Sequence, residues 1–111
     1  MNSFNKERLQ TIIHRNLSNI LQKELKQPQL KNISLIEIKL NKDKSIATAY
    51  YSFIDSDNKK EYYNQLLDEN LKIIRQKLSQ KLKIFKVPEL RFKYDVSLNA
   101  GSRIEQILNN F

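Results

Sequence analysis

The segment Leu71-Lys72-Ile73-Ile74-Arg75-Gln76-Lys77-Leu78-Ser79-Gln80-Lys81-Leu82-Lys83-Ile84-Phe85-Lys86-Val87-Pro88-Glu89-Leu90-Arg91-Phe92-Lys93-Tyr94 decides the fold, because two periodicities meet in it. Leu71, Ile74, Leu78 and Leu82 recur three or four residues apart, the spacing of one face of an α-helix. From Leu90 the pattern alternates: Leu90, Phe92 and Tyr94 fall on one side of an extended strand, Arg91 and Lys93 on the other. Pro88 stands between, where it cannot continue a helix and biases Val87 toward an extended backbone. A long helix therefore runs into a strand. The polar positions of both are mostly basic: Lys72, Arg75, Lys77, Lys81, Lys83, Lys86, Arg91 and Lys93, against Glu89 as the one acid from Lys72 to Lys93. These groups carry nearly all of the chain's formal net charge of +8. The expectation is a segment that is core on one side and a phosphate-binding surface on the other, with those eight cations as the candidate RNA-binding residues.

Upstream, Ser3 or Asn5 can cap a first helix running to about Lys26, with Leu9, Ile12, Ile13, Leu17, Ile20, Leu21 and Leu25 as its apolar stripe. Gln27 to Asn32 turns the chain around Pro28. Ile33 to Leu40 reads as a strand with Ile36, Ile38 and Leu40 on one face. Asn41-Lys42-Asp43-Lys44 is a turn, and Ile46 to Ile54 a second strand. Ala47, Ala49, Tyr51 and Phe53 share one of its faces; Thr48, Tyr50 and Ser52 share the other. The short polar turn predicts an antiparallel hairpin, and the small alanines suit close approach of a helix.

Asp55-Ser56-Asp57-Asn58 is a loop expected to cap a helix starting near Lys59, whose inner face continues through Tyr63, Leu66, Leu67 and Asn70. Acids fill the first half of that helix and bases the second, an order the helix dipole favours, so part of the basic clustering is structural. The dipole does not account for Arg91 and Lys93 on the following strand. Beyond the third strand, about Glu89 to Asp95, Ile104, Ile107, Leu108 and Phe111 mark a short C-terminal helical segment, and residues 99–111 are a candidate mobile region. The reading is a single α+β domain over residues 1–111, in the order α-β-β-α-β with that last segment, its three-stranded sheet covered by helices.

A chain of 111 residues can bury roughly two-thirds of its unfolded surface without staples. It has no cysteine, which removes disulfides and thiolate metal sites and suits a reducing cytoplasm. No apolar run approaches the ~20 residues of a membrane span, and the N-terminus reads as a polar helix rather than a signal peptide. Chemistry has little to stand on. His14 is the lone histidine, read as a boundary residue of the first helix. Gly101 is the lone glycine, so no glycine-rich phosphate loop exists, and Asp55 to Asn58 lacks the glycine and distal glutamate of a calcium loop. The expectation is no enzyme, no cofactor, no metal and no small-molecule substrate. Tyr50 and Tyr62 are candidates for stacking on unpaired bases, whereas Phe85, Phe92 and Tyr94 read as core. The rival reading is compositional. Lysine far outnumbers arginine, as an AT-rich genome imposes, and the chain is then a general basic RNA-binding or protein-interaction module without subunit specificity.

Val87-Pro88-Glu89-Leu90-Arg91-Phe92-Lys93-Tyr94-Asp95-Val96-Ser97 resembles the "VPEL-x-F-x-x-D-x-S" segment of the bacterial ribosome-binding factor A family, matching it at Val87, Pro88, Glu89, Leu90, Phe92, Asp95 and Ser97. Gly101, Arg103 and Ile104 match its closing "G-x-R-I", Ile74-Arg75 fits its "IR", and Glu24 to Leu30 is similar to its "E-[LI]-x-D-P-R-L" turn, with Gln27 and Gln29 in place of Asp and Arg. The resemblance implies a type II KH-like fold without a GxxG loop and with a kinked second helix. The aligned positions Asn70-Leu71-Lys72 lack the family's small residues, which permits a more continuous helix. It also implies a cytoplasmic, non-catalytic assembly factor that binds the free immature small ribosomal subunit and its rRNA and assists maturation of the 5′ end. A monomer is the expected state.

Overall fold

The structure is a computed structural model and describes residues 5–84 and 86–95. Ser3, Phe85 and the expected C-terminal helical segment lie outside the described residues. Helix α1 spans Lys6–Lys23 and starts where the Asn5 side chain accepts the Arg8 backbone N–H at 2.8 Å. It stops short of the expected Lys26. Glu24 leaves the helical backbone at φ −115°, and Pro28 opens a 3₁₀ turn, Pro28–Asn32, that buries Leu30. Leu9, Ile13, Leu17, Ile20 and Leu21 form the buried stripe, with Ile12 and Leu25 partly covered.

Strands β1 (Ile33–Leu40), β2 (Ile46–Phe53) and β3 (Glu89–Tyr94) lie in that order in one sheet. The β1–β2 hairpin is antiparallel as expected, and β3 runs parallel to β2. The crossover that parallel pairing requires is helix α2, Lys60–Leu82. One face assignment is corrected. Ile36 does not share a face with Ile38 and Leu40, because the register shifts between Leu35 and Glu37 and leaves Ile36 unpaired at a β-bulge. The inward set of β1 is therefore Ile33, Leu35, Ile38 and Leu40, all buried.

The start of α2 also departs from the expected capped start. A 3₁₀ turn, Asp57–Lys59, precedes it, and its N-cap Lys59 makes no side-chain cap hydrogen bond. The expected capping loop is occupied elsewhere: Asp55 Oδ2 accepts from the Tyr63 hydroxyl at 2.8 Å, and Ser56 Oγ donates to Asn58 Oδ1. The Tyr63 hydroxyl also accepts from Asn32 Nδ2 at 2.8 Å, so one buried phenol joins the end of the Pro28–Asn32 turn, the β2–α2 loop and the first turn of α2.

Both helices pack on one face of the sheet. Ala47 and Ala49 are buried on the central strand, leaving room for the larger helix side chains above them. Tyr51, Phe53, Tyr63, Phe92 and Tyr94 form an aromatic group, with the Phe53 and Tyr63 rings stacked at 4.5 Å and Tyr51 edge-on to Tyr94 at 5.8 Å. α2 runs unbroken, and Asn70 is the buried polar residue among those described, its Nδ2 donating to the Leu66 carbonyl one turn back. Polar side chains of α1 reach the outward backbone of β1. Leu40 N–H donates to Gln10 Oε1 at 2.9 Å, His14 Nε2 lies 3.2 Å from the Leu35 carbonyl, and Gln22 Nε2 donates to the carbonyls of Lys31 and Ile33.

Candidate nucleic-acid interface

Helix α2 buries Tyr63, Leu66, Leu67, Asn70, Ile74, Leu78 and Leu82. At about 100° per residue, that fixes where its cations go. Lys72 and Arg75 are exposed and share one open depression with Asp68, Leu71, Gln76 and Ser79. Leu71 is half-buried at its inner margin. The guanidinium of Arg75 is thus presented to solvent beside one ammonium, two neutral hydrogen-bonding side chains and one carboxylate, a setting suited to a phosphate oxygen.

Lys77 and Lys81 turn to the other flank, toward the C-terminal end of α1. Lys81 Nζ lies 2.7 Å from Glu24 Oε2, and Asn19 Nδ2 donates to the same oxygen at 3.2 Å. The hydrogen bond from Lys81, helped by the charges of Lys81 and Lys77, holds the Glu24 carboxyl below its ordinary value against the opposing effect of desolvation. Glu24 caps the C-terminus of its helix, where the dipole disfavours an acid, so its cationic partners offset an unfavourable placement. Lys83 ends α2 in the left-handed region at φ 51°, its N–H bonded to the Ser79 carbonyl, and Lys86 is exposed just before Pro88.

Arg91 and Lys93 stand on the face of the sheet that the helices leave open. Arg91 Nε is 2.7 Å from Glu89 Oε2 on its own strand. The eight cations singled out from the sequence therefore do not share one surface: two flank α2, two face Glu24, two follow the helix end and two lie across the sheet. Sequence reasoning had no means to find the Glu24–Lys81 pair, which joins residues from opposite halves of the chain.

Tyr62 is exposed, edge-on to Tyr63 at 5.0 Å, with the Lys59 ammonium 5.4 Å from its ring. Phe92 and Tyr94 point inward against Tyr51 and are half-buried. Among the described residues no group of three or more His, Cys, Asp or Glu side chains could hold a metal ion, and no helix is long and apolar enough to cross a membrane.

Comparison with known proteins gives a consistent family. The family model described as ribosome-binding factor A matches residues 5–108. The ribosome-binding factor A of Lacticaseibacillus casei is 36% identical over 103 residues, covering 92% of this chain and 88% of that protein. That of Streptococcus pneumoniae is 31% identical over 112 residues, covering 98% and 95%. The crystal structure of ribosome-binding factor A from Thermus thermophilus superposes with a TM-score of 0.71 at 21% identity, over 81% of this chain and 94% of that one. A Thermus thermophilus homology model fitted into a cryo-EM map of a 30S–RbfA complex gives a TM-score of 0.66 at 20% identity, over 80% and 93%. Matched along nearly its whole length, and folded as those structures are, the chain belongs to the ribosome-binding factor A family.

Proposed function

We propose that this protein is a ribosome assembly factor that binds the free, immature small ribosomal subunit through its rRNA and assists maturation of that RNA's 5′ end. It acts without catalysis, as a monomer, in the cytoplasm. Membership of the ribosome-binding factor A family carries the reading. A relative fitted into a 30S complex supports the choice of subunit. The chemistry on offer is binding: fixed cations on α2 that neutralise phosphates and position the protein without reading sequence. Arg75 and Lys72 are the principal contacts, with Lys83 and Lys86 extending them past the helix end. Lys77 and Lys81 contribute once they exchange Glu24 for a phosphate, and Arg91 and Lys93 belong to a separate face.

Co-sedimentation of the tagged protein with separated ribosomal subunits tests this at low and high salt. Association with free small subunits, weakened by salt and absent from assembled ribosomes, is the expected result. Equal association with every RNA-containing fraction would instead support a general basic RNA-binding module. Within the first outcome, an Arg75→Ala, Lys72→Ala double variant should lose most of the binding.

A further inference from the structure

The open face of the sheet carries a second feature that the α2 reading does not use. Tyr50 projects from the middle of the central strand, away from the helices. Its register partners are Glu37 on β1 and Lys93 on β3; the adjacent row places Thr48 between Lys39 and Arg91. Tyr51, the next residue, is fully buried, whereas Tyr50 is half-buried with no ring contact and no hydroxyl partner among the described residues. Lys93 is exposed and likewise has no ion-pair partner there.

We propose that this face is a binding site for unpaired RNA, with one base stacked on Tyr50 and the adjoining phosphates held by Lys93 and Arg91. Neighbouring same-face side chains on paired strands start about 5 Å apart at Cβ, so a ring and an ammonium set side by side can take the base and phosphate of one nucleotide. A sheet face that offers an aromatic ring to splayed-out bases is a general solution for single-stranded RNA. Charge favours an anionic occupant, with Lys39, Arg91 and Lys93 against Glu37 and Glu89. The two acids sit in exposed pairs, Glu37–Lys39 at 3.6 Å and Glu89–Arg91 at 2.7 Å. Exposed pairs of this kind contribute little, so Arg91 can trade a carboxylate for a phosphate at small cost. A duplex cannot use the site, because its bases are already stacked.

The experiment measures binding of a short unpaired RNA oligonucleotide and of a duplex to full-length wild type, Tyr50→Phe, Tyr50→Ala and Lys93→Ala, with circular dichroism as the fold control. Tyr50→Ala is expected to weaken single-strand binding by about 5- to 160-fold, the range for loss of one stacked base. Tyr50→Phe should retain wild-type affinity, Lys93→Ala should weaken it several-fold, and duplex affinity should be unchanged by Tyr50→Ala. Wild-type affinity for the single strand in Tyr50→Ala, or equal losses for single strand and duplex, would overturn the proposal. Because these probes are free oligonucleotides, loss of small-subunit association in the Arg75→Ala, Lys72→Ala variant is read separately, and either reading can fail without the other.

Discussion

Lys81 at the end of α2 lies 2.7 Å from Glu24 at the end of α1, so one cation of the candidate interface is already engaged by the protein's own carboxylate. Any phosphate that recruits Lys81 must displace Glu24. Glu24→Gln should therefore raise affinity for an rRNA fragment, by about 2- to 5-fold at low salt, with the gain shrinking as salt screens the charges. Fluorescence anisotropy against salt concentration measures this. Unchanged affinity would mean that Lys77 and Lys81 lie outside the contact.

The inner and outer sides of α2 should separate cleanly. Leu78 is buried, and Leu78→Ala should lower unfolding free energy by about 2–5 kcal/mol in denaturant titration while the folded fraction binds RNA normally. Arg75 is exposed, and Arg75→Ala should leave stability nearly unchanged while lowering affinity and flattening the salt dependence by about one phosphate contact.

Lys83 holds a left-handed backbone, a placement that glycine adopts without the clash a Cβ imposes. Lys83→Gly should stabilise the fold by about 1 kcal/mol, raising Tm by several degrees in a chain of this size. Its RNA affinity should fall slightly, since the charge is lost. Stability and binding would thus move in opposite directions in one variant.

The acid limb of stability follows from three carboxylates. Glu24 is held below its ordinary value chiefly by the hydrogen bond from Lys81, Asp43 by that from Ser45 and Asp55 by that from Tyr63. A folded value below the unfolded one contributes stability that is complete above the unfolded carboxylate range and is lost as pH falls through the lowered folded value. Asp55→Asn should be less stable than wild type at neutral pH, and the gap should close on acidification, when both side chains are neutral. Thermal melts across that pH range test the sign.

The alkaline limb rests on Tyr51. Burial, with smaller contributions from Asp68 and Tyr94, pushes its phenol up to about 12, and its hydroxyl donates to Asn64 Oδ1. A raised folded value means that this stabilisation is intact below the ordinary tyrosine value near 10 and is lost as pH rises toward about 12. Tyrosinate absorbance should show a late component coinciding with unfolding, to which Tyr63, also pushed up by burial, contributes, and which is reduced in Tyr51→Phe.

Much of this architecture was legible because local periodicities are strong and agree with one another. The stripes of α1 and α2 needed only helical spacing, and the inward set of β2 only alternation. Pro88 marked the helix-to-strand junction. The bulge at Ile36 was not legible, since a β-branched apolar residue satisfies the alternating pattern on either face and only pairing with β2 reveals the extra residue. The first turn of α2 misled for a related reason: Asp55 has the chemistry of a cap but is claimed by Tyr63, a competitor invisible without tertiary structure. At the interface, residue type was legible and grouping was not. A lysine run reads as one surface, yet helical rotation sends Lys77 and Lys81 away from Lys72 and Arg75, and the strand sends Arg91 and Lys93 to the far side.

The α1 side chains that bond to β1 have a consequence for how copies of this chain can meet. Gln10, His14 and Gln22 occupy backbone groups through which another strand would have to hydrogen-bond at that margin. A strand added along β1 would first have to displace these side chains. Edge-to-edge stacking of copies through β1 thus carries the added cost of unmaking bonds the fold already holds, which works against growth into a fibre on that side.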